Sequence, residues 1–269
     1  MSETTRLLHE CAEEWQLHLG EPFSGGYASR VVTAATLLDG TEVVLKLQLP
    51  HRESEHEAAA LRHWDGDGAI RLLAYDPERD ALLLERCLPG TQLSELQQDA
   101  ALDVFVQLLP RLFKAAHEHF RALAEEADWW AEDLEAKWQS DGQPFERRLL
   151  DTALDALRTL PASQGEQVLL HQDLHAGNVL RAEREPWLVI DPKPLTGERE
   201  FAVAPIVRGL ELGGGRRNVL HRLDRLVGEL GLDRERARLW SLAQTVAWSF
   251  GSDFFDQHVA TASWLLESR

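Results

Sequence analysis

The sequence predicts an α+β protein of two lobes, a small one built on an antiparallel sheet and a larger, mostly helical one. Three observations predict it. Aliphatic and β-branched runs broken by turn residues fill the stretch from Glu21 to Glu85. Pro89-Gly90 then interrupts the pattern, and from about Leu93 onward apolar residues recur at helical spacing. The 269 residues suffice for two modest lobes sharing a cleft, expected at 1–86 and 87–269.

Taken in order, Leu7, Leu8, Cys11, Trp15 and Leu19 recur at helical spacing and predict an amphipathic helix over about 3–18. The segment EPFSGGYASRVVTAATLLDGTEVVLKLQL predicts two or three antiparallel strands, with Asp39-Gly40 as a hairpin turn. HRESEHEAAALRHW reads as a helix stopped by Asp65-Gly66-Asp67-Gly68. Ile70–Tyr75 and Ala81–Glu85 are strand candidates on either side of the Pro77 turn. Long helices are expected near 97–126, 145–160, 217–230 and 234–266, interrupted by short strands at Val168–Leu170, Val179–Arg181 and Trp187–Ile190. There is no internal repeat and no low-complexity linker.

Composition excludes several classes. Bases number 28 against 45 acids, a formal charge of −17, which argues against a nucleic-acid partner and would steer a cationic one. It is equally the charge of a protein kept soluble by its surface. The longest apolar runs, such as Ala81–Leu84, are far too short to span a bilayer, and the first fifteen residues lack the uninterrupted core of a signal peptide. Two cysteines, Cys11 and Cys87, without metal-like spacing fit a cytoplasmic, disulfide-free protein. The eleven histidines show no zinc-ligand spacing, and no serine sits in a nucleophile elbow. Oligomeric state is not legible.

The chemistry is carried by LLHQDLHAGNVL followed by WLVIDPKP. Asp173 lies two residues after His171, Asn178 five after Asp173, and a short strand delivers Asp191 at its end. This is the layout H-x-D-x-x-x-x-N and strand-terminal Asp of protein kinases. A phosphoryl group leaving ATP carries dense negative charge that magnesium neutralises, and magnesium takes hard oxygen ligands. An amide oxygen from Asn178 and a carboxylate from Asp191 suit that role. Asp173 is placed to accept the proton of a substrate hydroxyl and to aim its oxygen. His171 is expected to brace the loop. Alone, a His-x-Asp with a nearby Asn is what any polar loop supplies; the flanking apolar strands and Ile190-Asp191 make the combination specific.

The first third supplies the partners. Lys46 interrupts the apolar strand VVLKL, where an inward lysine is costly unless paired. Glu57 on the next helix can pair with it while Lys46 holds ATP phosphates; Glu53 and Glu55 are rivals, but Glu57 shares a face with Leu61 and Trp64. A surface lysine on an edge strand is the alternative. The turn Ser24-Gly25-Gly26-Tyr27-Ala28-Ser29 is a candidate phosphate cover that ends on Ser29, or equally a plain hairpin turn, since it matches neither common glycine-rich phosphate motif. Glu85-Arg86-Cys87 at the lobe junction would offer main-chain groups of Glu85 and Cys87 to adenine.

These residues resemble the aminoglycoside phosphotransferase superfamily. The IDPKP-x-x-G segment is most similar to its streptomycin-kinase branch, the aminoglycoside/hydroxyurea resistance kinases. The resemblance implies a bilobal protein-kinase-like fold that transfers the ATP γ-phosphate to an antibiotic hydroxyl, with streptomycin and its 6-hydroxyl foremost. It also implies that Asp173 is the base, that Asn178 and Asp191 hold magnesium, and that Lys46 contacts phosphates. One position departs from the pattern: after Glu200-Phe201 the family usually carries an Asp that anchors the catalytic loop, and here stands Ala202. The expectation is lower activity or another anchor.

For a polycationic acceptor two acidic, aromatic-rich regions are candidates. One holds Glu126, Asp128, Asp133 and Glu135, and a solvated helix face with aromatics turned inward competes with it. The other holds Asp253 and Asp256 in SFGSDFFDQH. GLELGGGRR is expected to be a flexible loop without chemistry. Two further readings remain: a kinase of a metabolic alcohol such as an amino alcohol, sugar or nucleoside-like compound, and a non-catalytic nucleotide-binding relative. Intact Asp173, Asn178 and Asp191 argue against the last.

Overall fold

The computed structural model describes residues 2–23, 29–116 and 120–268, without the side chain of Ser29. Contacts divide the chain into two units, Met1–Thr91 with Leu180–Lys193, and Gln92–Val179 with Pro194–Arg269. The expected division at 86/87 differs in one instructive respect. Residues 180–193, which carry Asp191, join the first unit because they bond to it: Ile70 N–H donates to Val189 O and Val189 N–H to Gly68 O.

In the first unit, α1 (Glu3–Glu14) starts on Ser2, whose hydroxyl accepts from the Thr5 N–H. It ends earlier than periodicity predicts, at a left-handed Gln16, and the chain turns into a short strand, β1 (His18–Pro22), which starts before the strand region expected from Glu21. Strands β2 (Ser29–Thr36), β3 (Glu42–Gln48), β4 (Leu72–Asp76) and β5 (Ala81–Glu85) complete an antiparallel sheet of order β1-β2-β3-β5-β4. The Ser24–Ala28 turn lies outside the described residues. One face of the sheet packs Ala35, Val43, Leu45, Leu47, Ala81 and Leu83 against Cys11, Ala12 and Leu17, so α1 covers it. The helix α2 (Glu57–Trp64) is shorter than expected and stops at Asp65 in the left-handed region, where a residue with a short polar side chain is tolerated. A hairpin of β7 (Val179–Arg181) and β8 (Trp187–Val189) forms a separate two-stranded sheet.

The second unit is helical around one two-stranded sheet of β6 (Gln167–His171) and β9 (Pro194–Glu198). The helix expected over 97–126 ends at Leu112 as α3 (Gln98–Leu112), and α4 (Leu123–Ser140) lies mostly beyond the expected range. Pairing decides the break: Leu169 N–H donates to Lys114 O and Thr196 N–H to Arg121 O, and Ala115 and Ala122 bridge to β6 and β9. β9 was masked in the sequence by Pro194 and Gly197. Gly197 is needed there, because a Cβ would lie 2.6 Å from Leu123 Cβ as α4 crosses the strand. α5 (Arg147–Thr159), α6 (Ala204–Arg208) and α7 (Arg216–Leu230) follow, then α8 (Arg234–Ala247) and α9 (Phe255–Glu267). The last two were expected as one helix; the turn between them passes through Gly251 at φ +76°. No helix among the described residues is long and apolar enough to cross a membrane.

Candidate active site

In the first unit, strand alternation sends Leu45 and Leu47 into the core and Lys46 to the opposite face, where it is 5% exposed. An ammonium so buried needs countercharge. Glu57, the first residue of α2 and 1% exposed, accepts from Lys46 Nζ at 2.8 and 2.7 Å. Gln48 Nε2 donates to the same carboxylate. Lys46 and Glu57 thus meet, while Glu53 faces His51 at 3.9 Å.

Asp191 follows β8 in the left-handed region, at φ +52°. Its Oδ1 accepts from Lys46 Nζ at 2.5 Å and its Oδ2 from Lys193 Nζ at 2.9 Å. Two cations therefore face two carboxylates. Burial alone would push Lys46 toward neutrality, but Glu57 and Asp191 hold it above the ordinary lysine range. Burial would raise the Asp191 carboxyl too; Lys46 and Lys193 overcome that and hold it far below the carboxylate range. Sequence reasoning missed Lys193, although a lysine two residues from Asp191 is visible in IDPKP.

The other two nucleotide-side expectations fare differently. Glu85 donates its N–H to Arg71 O, and its carboxylate accepts from the Arg71 N–H and from Arg184 Nε and Nη2. Both its N–H and its side chain are thus committed within the unit. Cys87 is buried, which pushes its thiol up to about 12. Ser29 pairs with Gln48 at the start of β2.

In the second unit, β6 ends on His171 and the chain turns through Asp173 into a single 3₁₀ turn, Ala176–Asn178. The turn is held by its own main chain and side chains. Asp173 N–H donates to His171 Nδ1 at 3.2 Å, and Gly177 N–H to His175 Nδ1 at 3.1 Å. Asn178 Nδ2 donates to Asp173 O at 2.9 Å, which fixes the amide plane and commits its nitrogen. The amide oxygen is then the atom left to accept or ligate.

Ala202, 3% exposed in the 3₁₀ segment Arg199–Val203, supplies no polar anchor to this loop. Other side chains do. Gln244 Nε2 from α8 donates to Gln172 O at 2.9 Å, and Glu211 Oε1 accepts from Ala176 N–H at 2.8 Å. Gln172 Nε2 donates to the fully buried Glu126, whose carboxylate lies 2.9 Å from Arg121. Glu126 is therefore part of the loop's support rather than a free acid for a ligand. Glu211 lies in GLELGGGRR, expected to be without chemistry; it sits in the short 3₁₀ turn Leu210–Leu212 and bonds the loop. No local motif marks either Gln244 or Glu211.

Around Asp173, Arg208 Nη2 approaches Oδ1 at 3.4 Å and lies over Trp248, with Cζ 4.3 Å from the ring centroid. His258 is buried nearby; burial and the Arg208 charge push its imidazole down to about 4, so it is neutral at pH 7. Asp256 lines a cavity of about 250 Å³ with Leu210, Gly214, Gly215, Thr261 and Trp264. Asp253 stands outside that lining, exposed in the turn before α9. Among α4 acids, Asp133 pairs with Lys137 and Glu135 with Arg147; Trp130 and Trp138 are buried as on a solvated helix face, whereas Trp129 is 44% exposed.

The fold is that of the protein-kinase-like small-molecule kinases. Choline kinase LicA from Streptococcus pneumoniae superposes with TM-score 0.68 at 14% identity, covering 99% of this chain and 98% of that one. The aminoglycoside phosphotransferase APH(4)-Ia superposes with TM-score 0.67 at 16% identity, over 98% and 97%. The hydroxyurea phosphotransferase of Kitasatospora aureofaciens is 43% identical over 88% of this chain and 69% of that protein. The streptomycin 6-kinase of Streptomyces glaucescens is 38% identical over 95% and 86%. The family model described as aminoglycoside/hydroxyurea antibiotic resistance kinase matches residues 14–250, and the chain belongs to that family. It is a small-molecule kinase.

Proposed function

We propose that this chain is a cytoplasmic enzyme that moves the γ-phosphoryl group of ATP to a hydroxyl of an aminoglycoside, streptomycin foremost. The single observation that carries the reading is the catalytic loop. The main chain of Asp173 is bonded through both its N–H and its carbonyl, and Asn178 is oriented by its nitrogen so that its oxygen is available.

In this reading the acceptor oxygen bonds to the γ-phosphorus as the bond to the β,γ-bridging oxygen breaks, and the hydroxyl proton passes to Asp173. Magnesium, when bound, neutralises charge on the transferring group. The residues fit it: a hard amide oxygen from Asn178 and a strongly ionised carboxylate from Asp191 are the donors such an ion takes. Lys46, kept charged by its carboxylate partners, contacts phosphate oxygens, and Glu57 keeps it aimed. The acidic charge of −17 favours a cationic acceptor, and Asp256 gives the cavity beside the Leu210 turn a carboxylate to receive one.

Hydroxyurea is a second acceptor reading, favoured by the 43% identical relative that bears its name. A metabolic alcohol such as choline is the third; its support is the fold-level likeness to LicA alone. ATP consumption with magnesium and streptomycin, hydroxyurea or choline separates them. Turnover with streptomycin is expected, falling by about 10²–10⁴-fold in Asp173→Asn, the range for a lost general base. Turnover with choline alone would reject the antibiotic reading and keep the kinase.

A further inference from the structure

We infer that Arg208 is a positioning residue that orients Asp173 for proton acceptance. The inference rests on the reading of Asp173 as the base. The loop residues between Asp173 and Asn178 are Leu174, His175, Ala176 and Gly177, none of them a permanent cation. The charge comes from another element: Arg208 closes α6, is 8% exposed and puts Nη2 3.4 Å from Asp173 Oδ1.

Three features make this a built contact rather than a surface encounter. The guanidinium is packed over the ring of Trp248, the residue that caps α8, at 4.3 Å, which fixes its plane and reach. Guanidinium keeps its proton at any working pH, so it remains a donor throughout a reaction cycle. The neighbouring His258 is neutral and does not compete for the carboxylate. With Oδ1 facing Arg208, Oδ2 has no partner among the described residues and is the oxygen that receives the hydroxyl proton. A contact of 3.4 Å is at the long end for a hydrogen bond, as such contacts are before a substrate closes the site.

The test is a double-mutant cycle on Asp173→Asn and Arg208→Gln, with Arg208→Lys as the conservative variant. Turnover is measured with magnesium-ATP and whichever of streptomycin and hydroxyurea the wild-type chain phosphorylates. Arg208→Gln is expected to lower kcat about a hundredfold, with both KM values within about twofold. Arg208→Lys restores part of the loss, and Arg208→Gln adds less than about threefold in the Asp173→Asn background. An unchanged kcat in Arg208→Gln overturns the inference. So does a loss that is undiminished on top of Asp173→Asn and accompanied by a lower melting temperature, because that is a structural role. If Arg208→Gln does not fold, Trp248→Leu keeps the charge and frees its direction; wild-type kcat there also overturns it. Full turnover in Asp173→Asn sinks the base itself, whatever Arg208 does, and no phosphorylation of either acceptor sinks both.

Discussion

The charged cluster of the first unit and the catalytic loop of the second solve opposite problems. Lys46, Glu57, Asp191 and Lys193 bring two ammonium groups and two carboxyl groups into places that are mostly dry, where each lysine touches a carboxyl group. The Asp173 loop is held by hydrogen bonds to main-chain groups, with Arg208 as the charged contact to the Asp173 carboxylate among the described residues. The first arrangement is set by Coulomb attraction and is intolerant of losing one member. The second is set by many modest bonds that share the positioning. The comparison teaches where substitutions should unfold the protein and where they should only slow it.

The largest structural effect is expected at Glu57. Glu57→Ala leaves Lys46 with Asp191 as its remaining countercharge and leaves Gln48 Nε2 with its long 3.5 Å bond to Ser54 O. Breaking a buried pair costs about 3–5 kcal/mol, and the lower end applies here because one carboxylate remains. Denaturant midpoints read this directly, and Glu57→Gln should lose less. A shift under about 1 kcal/mol in the alanine variant, within the range of exposed pairs, would erase the contrast with the loop.

Gln244→Leu tests the other side. It leaves Gln172 O without its side-chain donor, a loss of about 1–3 kcal/mol. The loop then has Glu211 and its internal bonds, so the fold survives while Asp173 loses precision. The expected result is kcat down about tenfold, less than the hundredfold of a 1 Å misplacement, with KM for ATP unchanged. Loss of folding instead would show that the loop's bonds are as indispensable as the charged cluster.

How far the sequence reached follows the same division. A lysine in VVLKL, an acid on the next helix and an Asp at a strand end are local anomalies, visible because each breaks an apolar pattern. The loop signature was legible for its spacing. Its supports were not: Gln244 lies on α8, 72 positions from the carbonyl it holds, and Glu211 sits among glycines that read as a flexible loop. Arg208 ends a five-residue helix that no periodicity can reveal. In the fold, β9 escaped because Pro194 and Gly197 hide a strand, and the break between α3 and α4 escaped because pairing to β6 and β9, a long-range contact, overrode local helical spacing.

Ala202 sharpens the comparison with the smallest expected effect on turnover. If the loop needed the acid that the family usually has there, Ala202→Asp would raise kcat and stability together. Gln244 and Glu211 already hold the Gln172 and Ala176 main-chain groups, and position 202 is 3% exposed among Phe201 and Val203, both fully buried. A carboxylate brought in there gains little and loses its hydration, at a cost of several kcal/mol. We expect no gain in kcat and a melting temperature lower by about 5–10 °C. A rise in turnover would mean that the distant anchors hold the loop incompletely, and that losing the acid is a defect this chain carries.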